Sequence, residues 1–438
     1  MARHAKPLLA TMVMILSLPS YLALKATTSV AETGVSYTLI FDSFGMAAGG
    51  YMNFEVEPSR DEPISDGMAY VVVVADSVTS EYFSYLTELS DLETDDPPPI
   101  CMAPSSGRFE VTGPGSFNLS IVQHDLYTAY LVVCQRGGGF SGDVRLTYLN
   151  PVPEGDLAQH LPIQLAMLPA LFTVMSIVYV ALTLAWIGEM ARLRRHVLPV
   201  HFLCLACVFV KTVQSILVAA YYHRQARSEK GENQERLLGA AVLFISLFDV
   251  VFLLTLLLFS LGWGFIRQSL RSKEGWLVTT TIGFYAGVSL IDAGCGAGAS
   301  SDWCRGISLI EYAVRSLIML STVVAINFNI THIRFCIQFP WTSSSALEYL
   351  KLSRYLAYRM TFLVYLLQPT ASTLSRNEPT VLLMVKVFIL SWEYEWVYHA
   401  LDEFAMFLII AHLGVTFAPF NPWLLTRAFD HSLEQEGT

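Results

Sequence analysis

The chain has 438 residues, 53% of them hydrophobic and only 15% charged, with a formal net charge of −10 and a positive mean hydropathy of +0.47. That balance excludes an ordinary soluble globular protein, and the acidic surface excludes nucleic acid as a partner. The length allows two domains, and near residue 160 the sequence turns from mixed to membrane-grade.

Residues 1–31 read as a signal peptide. Arg3, His4 and Lys6 form a basic opening, Leu8 to Leu24 is mostly apolar, and Ser29-Val-Ala31 offers small residues for cleavage. Retention as an uncleaved anchor is the alternative.

Residues 32–155 read as one domain, within which 35–150 alternate with a period near two. Tyr37-Thr-Leu-Ile-Phe41, Tyr51-Met-Asn-Phe-Glu-Val56, Ala69-Tyr-Val-Val-Val-Val-Ala75, Phe117-Asn-Leu-Ser-Ile-Val122, Ala129-Tyr-Leu-Val-Val-Cys134 and Val144-Arg-Leu-Thr-Tyr148 are the expected strands. Gly45, Gly49-Gly50, Gly113-Pro-Gly115 and Gly137-Gly-Gly139 punctuate them. Short strands with no long helix between them predict a β-sandwich. Cys101 and Cys134 are expected to pair in an oxidising lumen, which would stabilise the domain by roughly 3–4 kcal/mol. Asn118-Leu-Ser120 is a glycosylation sequon on the same side. The acidic run Asp91, Glu93, Asp95 and Asp96, before Pro97-Pro-Pro99, reads as a solvated loop rather than a calcium site.

Residues 160–419 divide into seven spans, each near the roughly 20 residues a bilayer requires. They fall at about 164–187, 197–222, 237–265, 276–294, 306–330, 355–392 and 396–418. The sixth is irregular. Its apolar pieces, Tyr355 to Leu367 and Val381 to Trp392, flank a polar insert, Gln368 to Pro379, whose backbone lipid would not tolerate unpaired. One span with an unusual insertion is the preferred reading; a loop at one face or retained extra sequence are the others.

Loop charges set the expected orientation. One set of loops carries Arg192, Arg194, Arg195, Arg267, Arg271, Lys273, Arg334, Lys351 and Arg354. The opposite set holds Arg224, Arg227, Lys230, Arg236 and Arg305, offset by Glu229, Glu232 and Glu235. This puts the N-terminal domain in the lumen or outside the cell, and the tail, residues 420–438, in the cytosol.

Polar groups inside the spans carry the most chemistry, because each is costly against lipid. They are His201 and Lys211 on the second span, Asp249 on the third and Asp292 at the end of the fourth. Glu311 and Arg315 lie on the fifth, Lys386 on the sixth, and His399, Asp402, Glu403 and His412 on the seventh. Glu311 and Arg315, four apart, share a helix face and can pair. Either His201, Lys211, Asp249, Glu311, Arg315, Asp402 and Glu403 line an internal polar cavity, or they form pairs that fix helix packing.

Cys204-Leu-Ala-Cys207 has CxxC spacing but no second pair, so it reads as two buried thiols rather than a metal or redox site. Cys295 and Cys304 flank a short loop and are expected to form a local disulfide. Gly294-Cys-Gly-Ala-Gly298 lacks the strand and basic helix start of a phosphate loop. Tyr349-Leu-Lys-Leu352 fits a loose tyrosine-based sorting pattern. The chain has no GxSxG, HExxH, Walker A or kinase set, so neither catalysis nor a cofactor or metal is expected.

Four motifs together carry a resemblance. They are Pro199-Val-His201 with Lys211, Gly262-Trp263-Gly264-Phe-Ile-Arg267, Trp396-Val-Tyr-His-Ala-Leu-Asp402-Glu403, and Phe417-Ala-Pro-Phe-Asn421-Pro422-Trp-Leu424. In that order and at those helix positions they resemble the lung seven-transmembrane receptor family, also described as GOLD-domain seven-transmembrane proteins and related to Wntless. Phe41-Asp-Ser-Phe-Gly45 and Gly49-Gly50 resemble the family's first strand and turn. The departures are the insertion in the sixth span, Arg315 in an otherwise apolar helix, and Trp423 where the family usually has tyrosine.

The resemblance implies a lumenal GOLD-like all-β sandwich followed by a seven-helix transmembrane bundle. It implies residence in Golgi, endosome or plasma membrane. The expected function is membrane trafficking, with binding of lumenal cargo or lipid through the sandwich and a polar bundle cavity. The expected partners are membrane lipid, secretory or endocytic cargo proteins, and trafficking coat components. One alternative is an orphan receptor coupled to a G protein, against which stands Gly-Trp-Gly-Phe-Ile-Arg267 where a DRY-like triplet would follow the third helix. The other is an ion channel or transporter using Lys211, Asp249, Asp402 and Glu403.

Overall fold

Alternation is clearest in one strand of the N-terminal domain. In Tyr51–Pro58, Met52, Phe54 and Val56 are buried while Asn53, Glu55 and Glu57 face outward, the two-residue period of a strand with one wet face. The computed structural model describes residues 30–33, 36–58, 69–78, 105–111, 113–133, 139–151, 161–227, 232–264, 266–267, 269–295, 302–338, 345–367 and 392–419. Among the described residues eight strands lie in the N-terminal part: β1 (Val30–Thr33), β2 (Ser36–Met46), β3 (Tyr51–Pro58), β4 (Ala69–Ala75), β5 (Gly107–Glu110), β6 (Gly115–Ser120), β7 (Asp125–Val133) and β8 (Gly139–Leu149). They form two four-stranded sheets, in the orders β1-β8-β3-β6 and β2-β7-β4-β5, and every pairing is antiparallel. Met46, Phe54, Val56, Val71, Val73, Leu131 and Val144 interleave between the sheets. Each such side chain taken from water stabilises the fold by about 1.5–3 kcal/mol. β1 begins at Val30, inside the segment whose sequence reads as a leader, and β5 is a strand that alternation did not reveal.

Seven α-helices follow among the described residues: α1 (Leu168–Arg192), α2 (Pro199–Arg227), α3 (Glu232–Ser260), α4 (Ser272–Cys295), α5 (Asp302–Gln338), α6 (Ser345–Leu367) and α7 (Glu395–Thr416). Six of them are long and apolar enough to cross a membrane. α6 is less apolar because Glu348, Lys351, Arg354 and Arg359 lie along it. It starts at Ser345, so Tyr355 to Leu367 ends a 23-residue helix of about 34 Å rather than forming a short piece alone. α3 stops at Ser260, earlier than the apolar run predicts, and α5 continues to Gln338. Neighbouring helices pack as an aromatic-rich core of Tyr179, Phe252, Phe259, Tyr285, Tyr358 and Phe362. The insert at 368–379, Lys386, the acidic run at 91–96, Cys101, Cys134, the tail at 420–438 with Asn421 and Pro422, and residues 1–29 of the leader lie outside the described residues.

Candidate functional site

A polar centre sits inside the bundle. Lys211, about 18 Å along α2 from its start, points into the core with only 4% of its surface exposed. Its Nζ lies 2.8 Å from Glu403 Oε1 on α7. The Tyr179 hydroxyl, from α1, donates to Glu403 Oε2 at 3.3 Å. The rings of Tyr179 and Phe248 flank the ammonium at 5.6 and 5.0 Å, where their π faces offset part of its lost hydration. Four helices thus close around one ion pair.

A second cation lies beside it. Arg315 on α5 is buried, and its Nη2 donates to the Tyr365 hydroxyl at 2.9 Å. Among the described residues its Nε and Nη1 have no hydrogen-bond partner. Asp249 on α3 lies within electrostatic reach of Arg315, Lys211 and Asp402. Glu311 takes a different partner from Arg315: the Tyr285 hydroxyl donates to its Oε1 at 3.1 Å. The shared helix face expected for Glu311 and Arg315 is therefore present, and the two side chains bond to tyrosines of α4 and α6. Asp292 accepts a hydrogen bond from Ser308, and Thr361 Oγ1 meets His412 Nδ1 at 2.7 Å.

His201 belongs elsewhere. Ten residues before Lys211, or about 15 Å along α2, its Nδ1 accepts the Leu198 N–H at 2.7 Å and its ring also contacts the Phe417 backbone. This is the bundle end remote from the sandwich, and three of the recognised motifs meet there. Gly262, at φ 77°, ends α3: its N–H donates to Phe259 O and the Trp263 N–H donates to Leu258 O, a Schellman termination. Trp263 and Arg267 pair across the following turn, and Gly264, at φ 75°, sits where a Cβ would be 3.2 Å from Val200 Cβ. Arg267 Nη1 bonds Glu274 Oε1, whose second oxygen accepts the Arg271 N–H at the start of α4. Side chains also donate to carbonyls in the last turns of α3: Tyr358 OH to Leu256, Tyr355 OH to Phe259 and Asn329 Nδ2 to Ser260. Phe417 packs on Phe259 at 4.1 Å between ring centroids. An apolar void of about 20 Å³ lies nearby, lined by Trp186, Cys204, Cys207, Phe252, Phe259 and Gly414. It has room for about one water and little to bond it.

The sandwich is bolted to the opposite end. Asn150 Nδ2 donates to Gly45 O and Leu161 O, and its Oδ1 accepts the Ala47 N–H at 2.9 Å. Gln164, three residues before Met167 at the head of α1, accepts the Gly45 N–H at 3.0 Å. The Tyr148 hydroxyl is hydrogen-bonded to Gln225 on α2. His124 Nε2 lies 3.1 Å from Glu393 Oε1 in the 3-10 turn leading into α7. The seam therefore touches the helices that carry Tyr179, Lys211 and Glu403.

Cys295 and Cys304 form a disulfide that joins α4 to α5, and Cys204 and Cys207 are buried free thiols. Asn118 is exposed on β6. Among the described residues no group of three or more His, Cys, Asp or Glu could hold a metal ion. Tyr179, Tyr285, Tyr365, Asn150 and Gln164 escaped the sequence reading. An aromatic stripe at Tyr355, Tyr358, Phe362 and Tyr365, spaced three and four apart, was the available signal for α6.

Compared with known families, residues 167–422 match the family described as GOST, seven transmembrane domain.

Proposed function

This chain belongs to the GOST seven-transmembrane family, and we propose that it works as a membrane-trafficking protein of the Golgi–endosomal system. In this reading the sandwich faces the lumen, binds secretory or endocytic cargo or a lipid, and passes that event to the bundle. The far end, with its excess of arginine and lysine, faces the cytosol and meets coat components. No catalytic step is part of the function.

One observation carries the proposal. α7 begins at the His124–Glu393 contact with the sandwich and, about 12 Å further on, presents Glu403 to Lys211. A load on the sandwich that shifts α7 would act directly on a buried ion pair, and in this reading the making and breaking of that pair senses occupancy.

Affinity capture of a tagged full-length copy, with parallel localisation, tests this. Recovery of lumenal cargo with coat components, and altered secretion on deletion, is the expected result. Recovery of neither, with unchanged secretion, refutes it. Ligand-dependent nucleotide exchange on a G protein would instead make the chain a signalling receptor.

A further inference from the structure

The pattern Asn-x-Ser/Thr occurs twice in the chain, at Asn118-Leu-Ser120 and at Asn329-Ile-Thr331, and the fold treats the two oppositely. Asn329 is 4% exposed within the bundle, and its Nδ2 is committed to the Ser260 carbonyl at the α3 terminus. Asn118 stands exposed on β6, an edge strand of the first sheet. Ser120 is exposed beside it, and only Leu119 turns inward to pack on the sandwich core. The fold uses the middle residue and leaves the two recognised residues free.

The strand register fixes the direction in which the Asn118 side chain leaves the sheet. Asn53 on β3 is directly opposite Asn118 in the register, so the two side chains leave the same face of the sheet.

We infer that Asn118 carries an N-linked oligosaccharide, which stands off the outer face of β6 and β3. The donor is a lipid-linked pyrophosphate oligosaccharide. A bond forms between Asn118 Nδ2 and the anomeric carbon as the anomeric C–O bond to pyrophosphate breaks. The bonding electrons leave on the lipid pyrophosphate, and one Nδ2 proton passes to a base of the transferase. Nothing is oxidised or reduced. The attached sugar screens the free edge of β6, which otherwise offers unpaired backbone groups to another strand. It also removes this face, with Glu55 and Arg145, from any cargo-binding role.

The inference rests on the lumenal placement of the sandwich, one part of the proposed function, so the experiment separates the two. Full-length protein in microsomal vesicles is treated with peptide-N-glycosidase after the vesicles are opened with detergent, and a second portion is kept sealed. The wild type and Ser120→Thr move to lower mass, as does Thr331→Val, whereas Asn118→Gln and Ser120→Ala already run at the lower mass and do not move. A wild type that does not move, or an Asn118→Gln variant that does, overturns the inference. Protease added outside the vesicles reads the placement: a protected but sugar-free sandwich overturns this inference alone, and a digested one overturns the lumenal placement with it.

Discussion

Lys211 on the second helix and Glu403 on the seventh meet at 2.8 Å within an apolar bundle, both almost wholly buried. Taking two charges out of water costs several kcal/mol per ion, and the pair persists because each satisfies the other. Breaking it from one side leaves a bare buried charge. Lys211→Met and Glu403→Gln should therefore each lower stability, with Lys211→Met the worse at about 3–5 kcal/mol. The double variant Lys211→Met/Glu403→Leu should recover most of that loss. Thermal midpoints of the full chain in detergent measure it. A double variant no more stable than Lys211→Met would show that the pair does not act as a unit.

The turn after α3 makes a different demand. Gly262 and Gly264 both hold positive φ, where a side chain costs roughly 1–2 kcal/mol in backbone strain. A Cβ at Gly262 would also fall 3.0 Å from Ile266 Cβ and 3.1 Å from the Tyr355 hydroxyl, which caps Phe259. Gly262→Ala is expected to be more destabilising than Gly264→Ala. Gly283→Ala, on an open face of α4, should be neutral or stabilising by up to about 1 kcal/mol. Denaturation of the three variants side by side checks the order. An equal effect at all three positions would remove the conformational explanation.

These two sites mark the limits of what the sequence makes legible. The seven spans are legible from the length of their apolar runs and most of the strands from alternating or continuous apolar runs; β4, buried throughout except at Tyr70, runs over the predicted Ala69 to Ala75. Lys211 and Glu403 stand out because charges in lipid need partners, but which charge finds which depends on helix rotation. Arg315 shows the difficulty: a carboxylate one turn away is the obvious partner, and the guanidinium bonds Tyr365 on another helix instead. Asn150 and Gln164 look like linker residues in sequence. Their importance arises only when β2 and the lead-in to α1 are brought together over more than a hundred positions.

Asn150 serves three backbone groups at once, accepting from Ala47 and donating to Gly45 and Leu161. Asn150→Ala abandons all of them in a buried place, and each unsatisfied group costs about 1–3 kcal/mol. Asn150→Asp keeps the acceptor but sets a carboxylate against two carbonyls, so it should be no better. Gln164→Ala removes only the Gly45 contact and should be milder. Limited proteolysis between sandwich and bundle is the measurement, with cleavage fastest in the Asn150 variants. Unchanged cleavage in all three would show that the seam is held by other contacts.

Alkaline pH probes the same seam from the side of the sandwich. Burial pushes the Tyr148 phenol well above its ordinary value of 10.0, with Tyr221 adding to the rise and the hydrogen bond to Gln225 opposing it. Tyr127 is raised too, first by burial and then by Asp125, against its bond to Gln123 O. Both folded phenols hold their protons at a pH where the unfolded chain has lost them. The associated stability is thus fully present below pH 10.0 and drains away as pH rises through the folded values. Tyr148→Phe should cost about 1 kcal/mol near neutrality, through loss of the Gln225 bond, and shift the alkaline unfolding midpoint upward relative to its own neutral stability. Intrinsic fluorescence of the full chain, followed from pH 8 upward in steps, reads both effects. An unfolding curve that keeps its alkaline slope in Tyr148→Phe would mean that this phenol does not govern the loss.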